Sequence, residues 1–234
     1  VVFYKQLNFE EINMIRNVLK KIVKKIGFCG VQGDGGFKEK IESDPLNAEL
    51  HFQYSIYALK VHRPYLAFSE LKMAEFLGKA SDEIDKYREA ILAIIPRQET
   101  MNHNQYFRLK SLTSELNERS INTNYSVMDV GGGEGQLASF IPNAKYCLVE
   151  PSVNGISGIS LPFTDSSFDY VVSCHVLEHI PVAERDIFLD QLLSKSKNGL
   201  LLLNPFHIEG THIDERLQLI INITDADWAK EHLE

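Results

Sequence analysis

The sequence predicts an α/β fold in which an open parallel sheet follows an all-helical N-terminal region. Residues 126–140, SVMDVGGGEGQLASF, run a short apolar strand into Gly131, Gly132, Gly133, Glu134 and Gly135 and then into a helix, a strand, glycine loop, helix unit. Three further apolar runs, near residues 146–149, 168–173 and 200–203, follow with polar or helical stretches between them, the alternation that builds parallel sheets. Upstream of residue 97 the apolar positions instead recur at helical spacing.

With 44% apolar content, 234 residues are ample for a sizeable core. The formal net charge of -8 argues against binding nucleic acid by bulk electrostatics, which needs an excess of Lys and Arg, so no such partner is expected. Cys29, Cys147 and Cys174 are far apart with no C-x-x-C pair. Neither a disulfide framework nor a cysteine zinc site is suggested, and a reducing, cytoplasmic location is expected. No apolar run reaches the roughly 18–20 residues of a membrane span, and the opening VVFYKQLNFE lacks the plan of a signal peptide. Because the chain starts with Val, a trimmed N-terminus is expected.

The helices come first. Residues 9–26 place Ile12, Ile15, Leu19, Ile22 and Ile26 on one stripe of an amphipathic helix that stops at Gly27, with Lys20, Lys21, Lys24 and Lys25 on its other face. That stripe is expected to pack on the following helices. The glycine-rich GFCGVQGDGGF lacks the Lys-Ser/Thr ending of a phosphate loop and reads as a linker. Asp44 as N-cap, with Pro45 in the first turn, opens the next helix; Pro64 opens and Gly78 closes another; Ser81 caps a third. The hairpin at about 45–78, with Ala58, Ala67, Leu71 and Ala74 at its packing positions, is similar to one tetratricopeptide unit. One repeat cannot bury its own core, so it is expected to lean on the main domain, with a protein partner on these helices as the other reading. This divides the chain into a helical region, 1–97, and a second domain, 98–234.

The glycine loop predicts a bound small molecule, because it lets a ligand approach the backbone where a Cβ would intrude and leaves helix N–H groups free. A dinucleotide site would want G-x-G-x-x-G, with its third glycine where Gln136 stands; the spacing here is G-x-G-x-G. Asp129, two places before the first glycine, suits an ammonium or cationic ligand better than a pyrophosphate. VMDVGGGEG resembles in full the first motif of the class I S-adenosylmethionine-dependent methyltransferases of the small-molecule group, apolar-apolar-acidic-apolar-G-x-G-x-G.

The resemblance continues in order from near residue 126 to 206 and implies a Rossmann-like methyltransferase sheet. AKYCLVEP supplies a strand ending at Glu150, whose counterpart in the family binds both ribose hydroxyls, two acceptor oxygens suiting two adjacent donors. LPFTDSSFDYVVSCHVLEHIP is similar to the segment holding the adenine-side loop and the family's fourth strand, and SKNGLLLLNPF to that of the fifth. The resemblance implies S-adenosylmethionine as cofactor, with S-adenosylhomocysteine as product. It assigns Asp129, Gly131, Gly133 and Gly135 to the methionine end, Glu150 to ribose, Ser157 and Leu161 to Phe163 to the adenine side, and Cys174 and His175 to the neighbourhood of the sulfonium.

HVLEH, residues 175–179, has the letter order of the inverted zinc-protease motif, H-x-x-E-H. It follows the family's fourth strand directly, so its first residues should lie in a turn and its last begin a helix ended by Pro181, without the continuous helix that zinc ligation requires. No metal is expected. In the family this turn faces the transferred methyl, which makes His175 and His179 candidate catalytic residues, His179 as general base. The other reading has His179 and Glu178 cap the helix, with proximity and orientation supplying the rate. MNHNQYFRLKSLTSEL is similar to the family's N-terminal lid helix and carries Asn104, Tyr106 and Arg108.

The pattern departs from the family in three places. Between Glu150 and Leu161 the stretch PSVNGISGIS is too short for a helix and a full strand, leaving at most a short strand near 156–159. Ser157 stands where many relatives carry an acid for the adenine amino group. After the fifth strand only a helix around Leu217, Ile220 and Ile221 is legible, so the last two strands are expected to be missing and the domain C-terminally incomplete. The expected function is methyl transfer from S-adenosylmethionine to a small-molecule or glycan-like acceptor. The alternative is a catalytically degenerate S-adenosylmethionine-binding module that recruits a partner through its helices.

Overall fold

The computed structural model describes residues 35–79, 82–120, 124–205 and 213–224. The helix expected over 9–26, most of the linker after it and the Ser81 cap lie outside those residues. Four short helices lead: α1 (Phe37–Ser43), α2 (Ala48–Lys60), α3 (Pro64–Phe76) and α4 (Asp82–Leu92). A longer one, α5 (His103–Arg119), precedes the sheet. Strands β1 (Ser126–Val130), β2 (Lys145–Val149), β3 (Phe168–Cys174) and β4 (Ser196–Leu203) follow, with α6 (Arg185–Lys195) between the last two and α7 (Ile213–Thr224) after them.

Local chemistry sets the helix ends. α2 is capped by Asn47, whose side chain accepts from the Glu49 and Leu50 backbone N–H groups at 3.1 and 3.2 Å, and not by Asp44 as expected. Asp44 instead accepts from the Asn47 amide at 2.8 Å, and Pro45 stays outside the helix, where its carbonyl faces the His51 ring. Pro64 occupies the first turn of α3, as its fixed φ and missing N–H favour. Gly78, at φ 95°, follows the Leu77 C-cap in the left-handed conformation that ends helices.

The four strands are all parallel in the order β2-β1-β3-β4, so the strand that feeds the glycine loop is interior. Every residue of β1 is buried. Its two neighbours pair in register, Val127 beside Tyr146 and Tyr170, Asp129 beside Leu148 and Val172. β4 forms one edge, with Leu200, Leu201, Leu202 and Leu203 only half-buried. No helix among the described residues is long and apolar enough to cross a membrane.

Two expected elements are absent. The glycine loop leads into a single 3-10 turn, Gln136–Ser139, and not a helix, because Pro142 closes the stretch before a second turn can form. In place of a crossover helix, α3 lies against β2, burying Leu66, Phe68, Leu71 and Ala74, and the Phe76 ring stacks on Phe168 at 4.9 Å. The strand expected near 156–159 does not form either. Its segment is tied to the helices: Val153 O accepts from Tyr54 at 3.1 Å, and Gly155, at φ 75°, packs so tightly on Glu42 and Lys38 that an added Cβ would meet them at 2.9 and 3.0 Å. With its backbone held this way, the segment does not extend along β2.

A buried polar chain joins the helices to the sheet. Glu70 of α3 lies 2.5 Å from His51 Nδ1 of α2 and accepts from Asn154 at 3.2 Å, and Asn154 also donates to Leu148 O at 2.9 Å. His51 Nε2 sits 3.0 Å from Pro45 O. Both ring nitrogens therefore face acceptors, which only the imidazolium satisfies. Burial opposes that charge, but Glu70 outweighs it and raises the His51 pKa above its ordinary 6.5. A raised histidine pKa contributes stability that is fully present below about 6.5 and is lost as pH rises through the folded-state value. Glu70→Gln is therefore expected to cost about 3 kcal/mol in urea unfolding at pH 6, with a smaller deficit at pH 8.5; equal deficits at the two pH values would contradict the linkage.

Candidate active site

The C-terminal ends of β1, β2 and β3 lie side by side, and the glycine loop leaves β1 between the other two. Gly131, Gly133 and Gly135 all have positive φ, at 77°, 59° and 77°. The loop is also crowded: a Cβ on Gly131 would lie 2.1 Å from Val176, one on Gly132 2.3 Å from the Asp129 carboxylate, and one on Gly135 2.3 Å from Ser69. Sequence reasoning explained these glycines by ligand approach; the structure adds that the protein itself fills the space behind them.

At Gly135 that filling comes from α3. Ser69 Oγ lies within 3.1 Å of the Glu134 carbonyl, Arg63 Nε donates to the Glu134 carboxylate at 2.8 Å, and Lys72 donates to Pro142 O at 2.8 Å. None of these residues carried a local motif; they share only the α3 packing face.

Asp129 is buried beneath the loop and accepts from the Tyr146 hydroxyl at 2.6 Å. Burial raises its pKa to about 7, against the lowering effect of the Tyr146 hydrogen bond and with a further push from the Glu150 charge. Tyr146 was legible as a strand residue but not as this partner. Glu150 stands just past β2, where it accepts from Gly133 N at 3.2 Å and from Ser152 N and Oγ at 3.1 and 2.7 Å. It thus bridges the loop and the end of β2.

Cys174 ends β3, and burial leads the effects that push its thiol up to about 11. His175 follows at φ 58°, a left-handed turn held by its N–H donating to Leu203 O at 2.8 Å. Its Nδ1 lies 3.1 Å from Glu178 Oε1. Leu177–His179 is a single 3-10 turn, so the two histidines of HVLEH do not share a continuous helix. His179 is exposed on that turn, whereas His175 is half-buried beside Glu178. Among the described residues no group of three or more His, Cys, Asp or Glu is placed to hold a metal.

The adenine-side residues divide. Ser157 is half-buried and its carbonyl accepts from Ser160 at 3.2 Å; Leu161 is buried, its N–H donating to Gln191 at 3.2 Å. Phe163 packs edge-on against Phe168, 5.0 Å between ring centres, at the N-terminal end of β3. That is roughly 20 Å along the strand from Cys174, so Phe163 lies away from the strand ends where the glycine loop begins. Ser173 Oγ and both polar atoms of the Asn204 side chain, at the ends of β3 and β4, are buried without a hydrogen-bond partner among the described residues. Folded proteins seldom leave such groups unpaired, and their concentration at the strand ends fits a polar ligand there.

A family model described as Methyltransferase domain matches residues 95–224. A search of curated proteins found no match to the chain.

Gly135→Ala is expected to destabilise the protein by at least the ~1–2 kcal/mol that a side chain pays in the left-handed region, plus the collision with Ser69. In a Ser69→Gly background the second part should vanish. Denaturant unfolding of the two single variants and the double variant checks this; an additive double variant would mean that Ser69 does not press on the loop.

Proposed function

The chain belongs to the methyltransferase-domain family, with a class I all-parallel sheet, and from that premise we propose that it transfers a methyl group from S-adenosylmethionine to a small-molecule or glycan-like acceptor. The observation that carries this reading is the crevice itself. A glycine loop, a carboxylate at the end of the neighbouring strand and buried polar groups without partners among the described residues lie at one end of a parallel sheet. Ligands of such sheets bind where the strands end.

The residues present fit the cofactor. Glu150 would receive the ribose hydroxyls, its two acceptor oxygens suiting two adjacent donors. Asp129 would favour the ammonium of the amino-acid end. Ser157 and Leu161 would border the adenine, and Cys174 would lie beside the sulfonium. The bound cofactor supplies an electrophilic methyl that needs no further activation. The chain's own work is then to align the acceptor, exclude water and take up its proton. For that proton His175 is better placed than the more exposed His179, because the Glu178 carboxylate stands 3.1 Å from its Nδ1, on the side where an orienting carboxylate belongs.

One observation supports the alternative, a degenerate cofactor-binding module: the adenine side is built from turns over 150–162 and not from a paired strand. Calorimetry with S-adenosylhomocysteine, followed by turnover of methyl-labelled donor with a panel of acceptors, separates the two.

Glu150→Gln keeps shape but loses charge, and should weaken S-adenosylhomocysteine about tenfold while leaving a ribose-free methionine analogue unaffected. A second expectation concerns pH. A cationic end beside Asp129 favours its ionised form, so the pKa of about 7 falls on binding. Affinity should then rise with pH up to about 7 and level off above, and Asp129→Asn should remove that rise. A pH-independent wild type in calorimetry would take Asp129 out of the site.

A further inference from the structure

Arg108 has no role in the reading above, yet its place in the fold is well defined. α5 runs antiparallel to β3. Near its C-terminal end the Arg119 carbonyl accepts from the Tyr170 hydroxyl at 2.9 Å, and near its N-terminal end the Tyr106 ring lies 5.9 Å from Phe140, just past the glycine loop. Arg108 precedes Arg119 by three turns of helix, roughly 16 Å. Cys174 lies about 13 Å along the strand from Tyr170. Arg108 therefore stands over the C-terminal end of β3, and its charge is felt there, opposing the burial that raises the Cys174 thiol.

Arg108 Nε is buried and has no hydrogen-bond partner among the described residues. A guanidinium donates from every nitrogen and accepts from none, so this N–H is complete only with an acceptor. A carboxylate matches the planar fork best. Asp129, from beneath the loop, and Glu178 act on the same thiol with the opposite sign. The crevice thus presents a carboxylate on one side and a guanidinium on the other, a pair complementary to a zwitterionic amino-acid group.

We infer that Arg108 is the carboxylate-binding residue of the crevice, holding the acid of an amino-acid group on a bound reactant. The inference rests on the crevice being the S-adenosylmethionine site. The carboxylate has two sources, the cofactor's own amino-acid end or an acid on the acceptor. The probes are S-adenosylhomocysteine and 5′-methylthioadenosine, which keeps the nucleoside and thioether but lacks the amino-acid end.

In calorimetry Arg108→Gln should weaken S-adenosylhomocysteine about tenfold or more and leave 5′-methylthioadenosine unchanged, with Arg108→Lys recovering part of the loss. That pattern assigns the cofactor's acid. If S-adenosylhomocysteine is unaffected, acetate is titrated into the wild type saturated with it. A downfield move of the Arg108 Nε–H resonance, missing in Arg108→Gln, assigns the acceptor's acid. Equal losses for both nucleosides, or no loss together with an unmoved resonance, would overturn the role of Arg108. A wild type that binds neither nucleoside fails earlier and removes the cofactor reading as well.

Discussion

The close approach of α3 to the glycine loop is the constraint on which the rest of the molecule depends. Ser69 occupies the space that a Cβ on Gly135 would need, and Arg63, Ser69 and Lys72 each contact the loop or the turn beyond it. Glycine loses more conformational freedom on folding than any other residue, so a glycine loop keeps one shape only where its surroundings hold it. At Gly135 those surroundings come from a helix more than fifty residues earlier in the chain. The position of the crevice floor is therefore a tertiary property, even though its motif is local.

That arrangement concentrates ionisable groups at one junction. His51, Glu70, Lys72 and Asp129 are all buried where helices meet sheet. Each is answered by a partner: Glu70 by His51 and Asn154, Lys72 by the Pro142 carbonyl, Asp129 by Tyr146. Burial still leaves its mark, drawing Lys72 down to about 8 and Asp129 up to about 7. Asp129 is the one that the active-site crevice can exploit, since a cationic ligand changes the balance that holds its proton.

The four strands were legible because each is a short apolar run next to turn residues, and the order of the motifs fixed their roles. The helix after the glycine loop was misread for a local reason. Gln136, Leu137 and Ala138 are good helix formers, but Pro142 leaves room for only one turn after the loop. The cap of α2 was misassigned because Asp44 and Pro45 look like a start signal, while Asn47 competes three residues later and wins with two backbone bonds. Phe163 entered the expected site by adjacency to Leu161. Its ring packs on Phe168 at the foot of β3 instead. The pairings of His175 with Glu178 and of Asp129 with Tyr146 were hidden because rotamer and face decide them, and letters do not.

The short connection between β1 and β2 has a consequence for how the molecule assembles. Parallel neighbours need a crossover to cover the face they share, and this one contributes a single 3-10 turn. The pair cannot close its own face by local contacts, so the first stable nucleus must span from α2 and α3 to β1 and β2, a long loop to close. During synthesis that order is favourable. The α2 and α3 segment leaves the ribosome before the strands and is at hand to fold with them as they emerge.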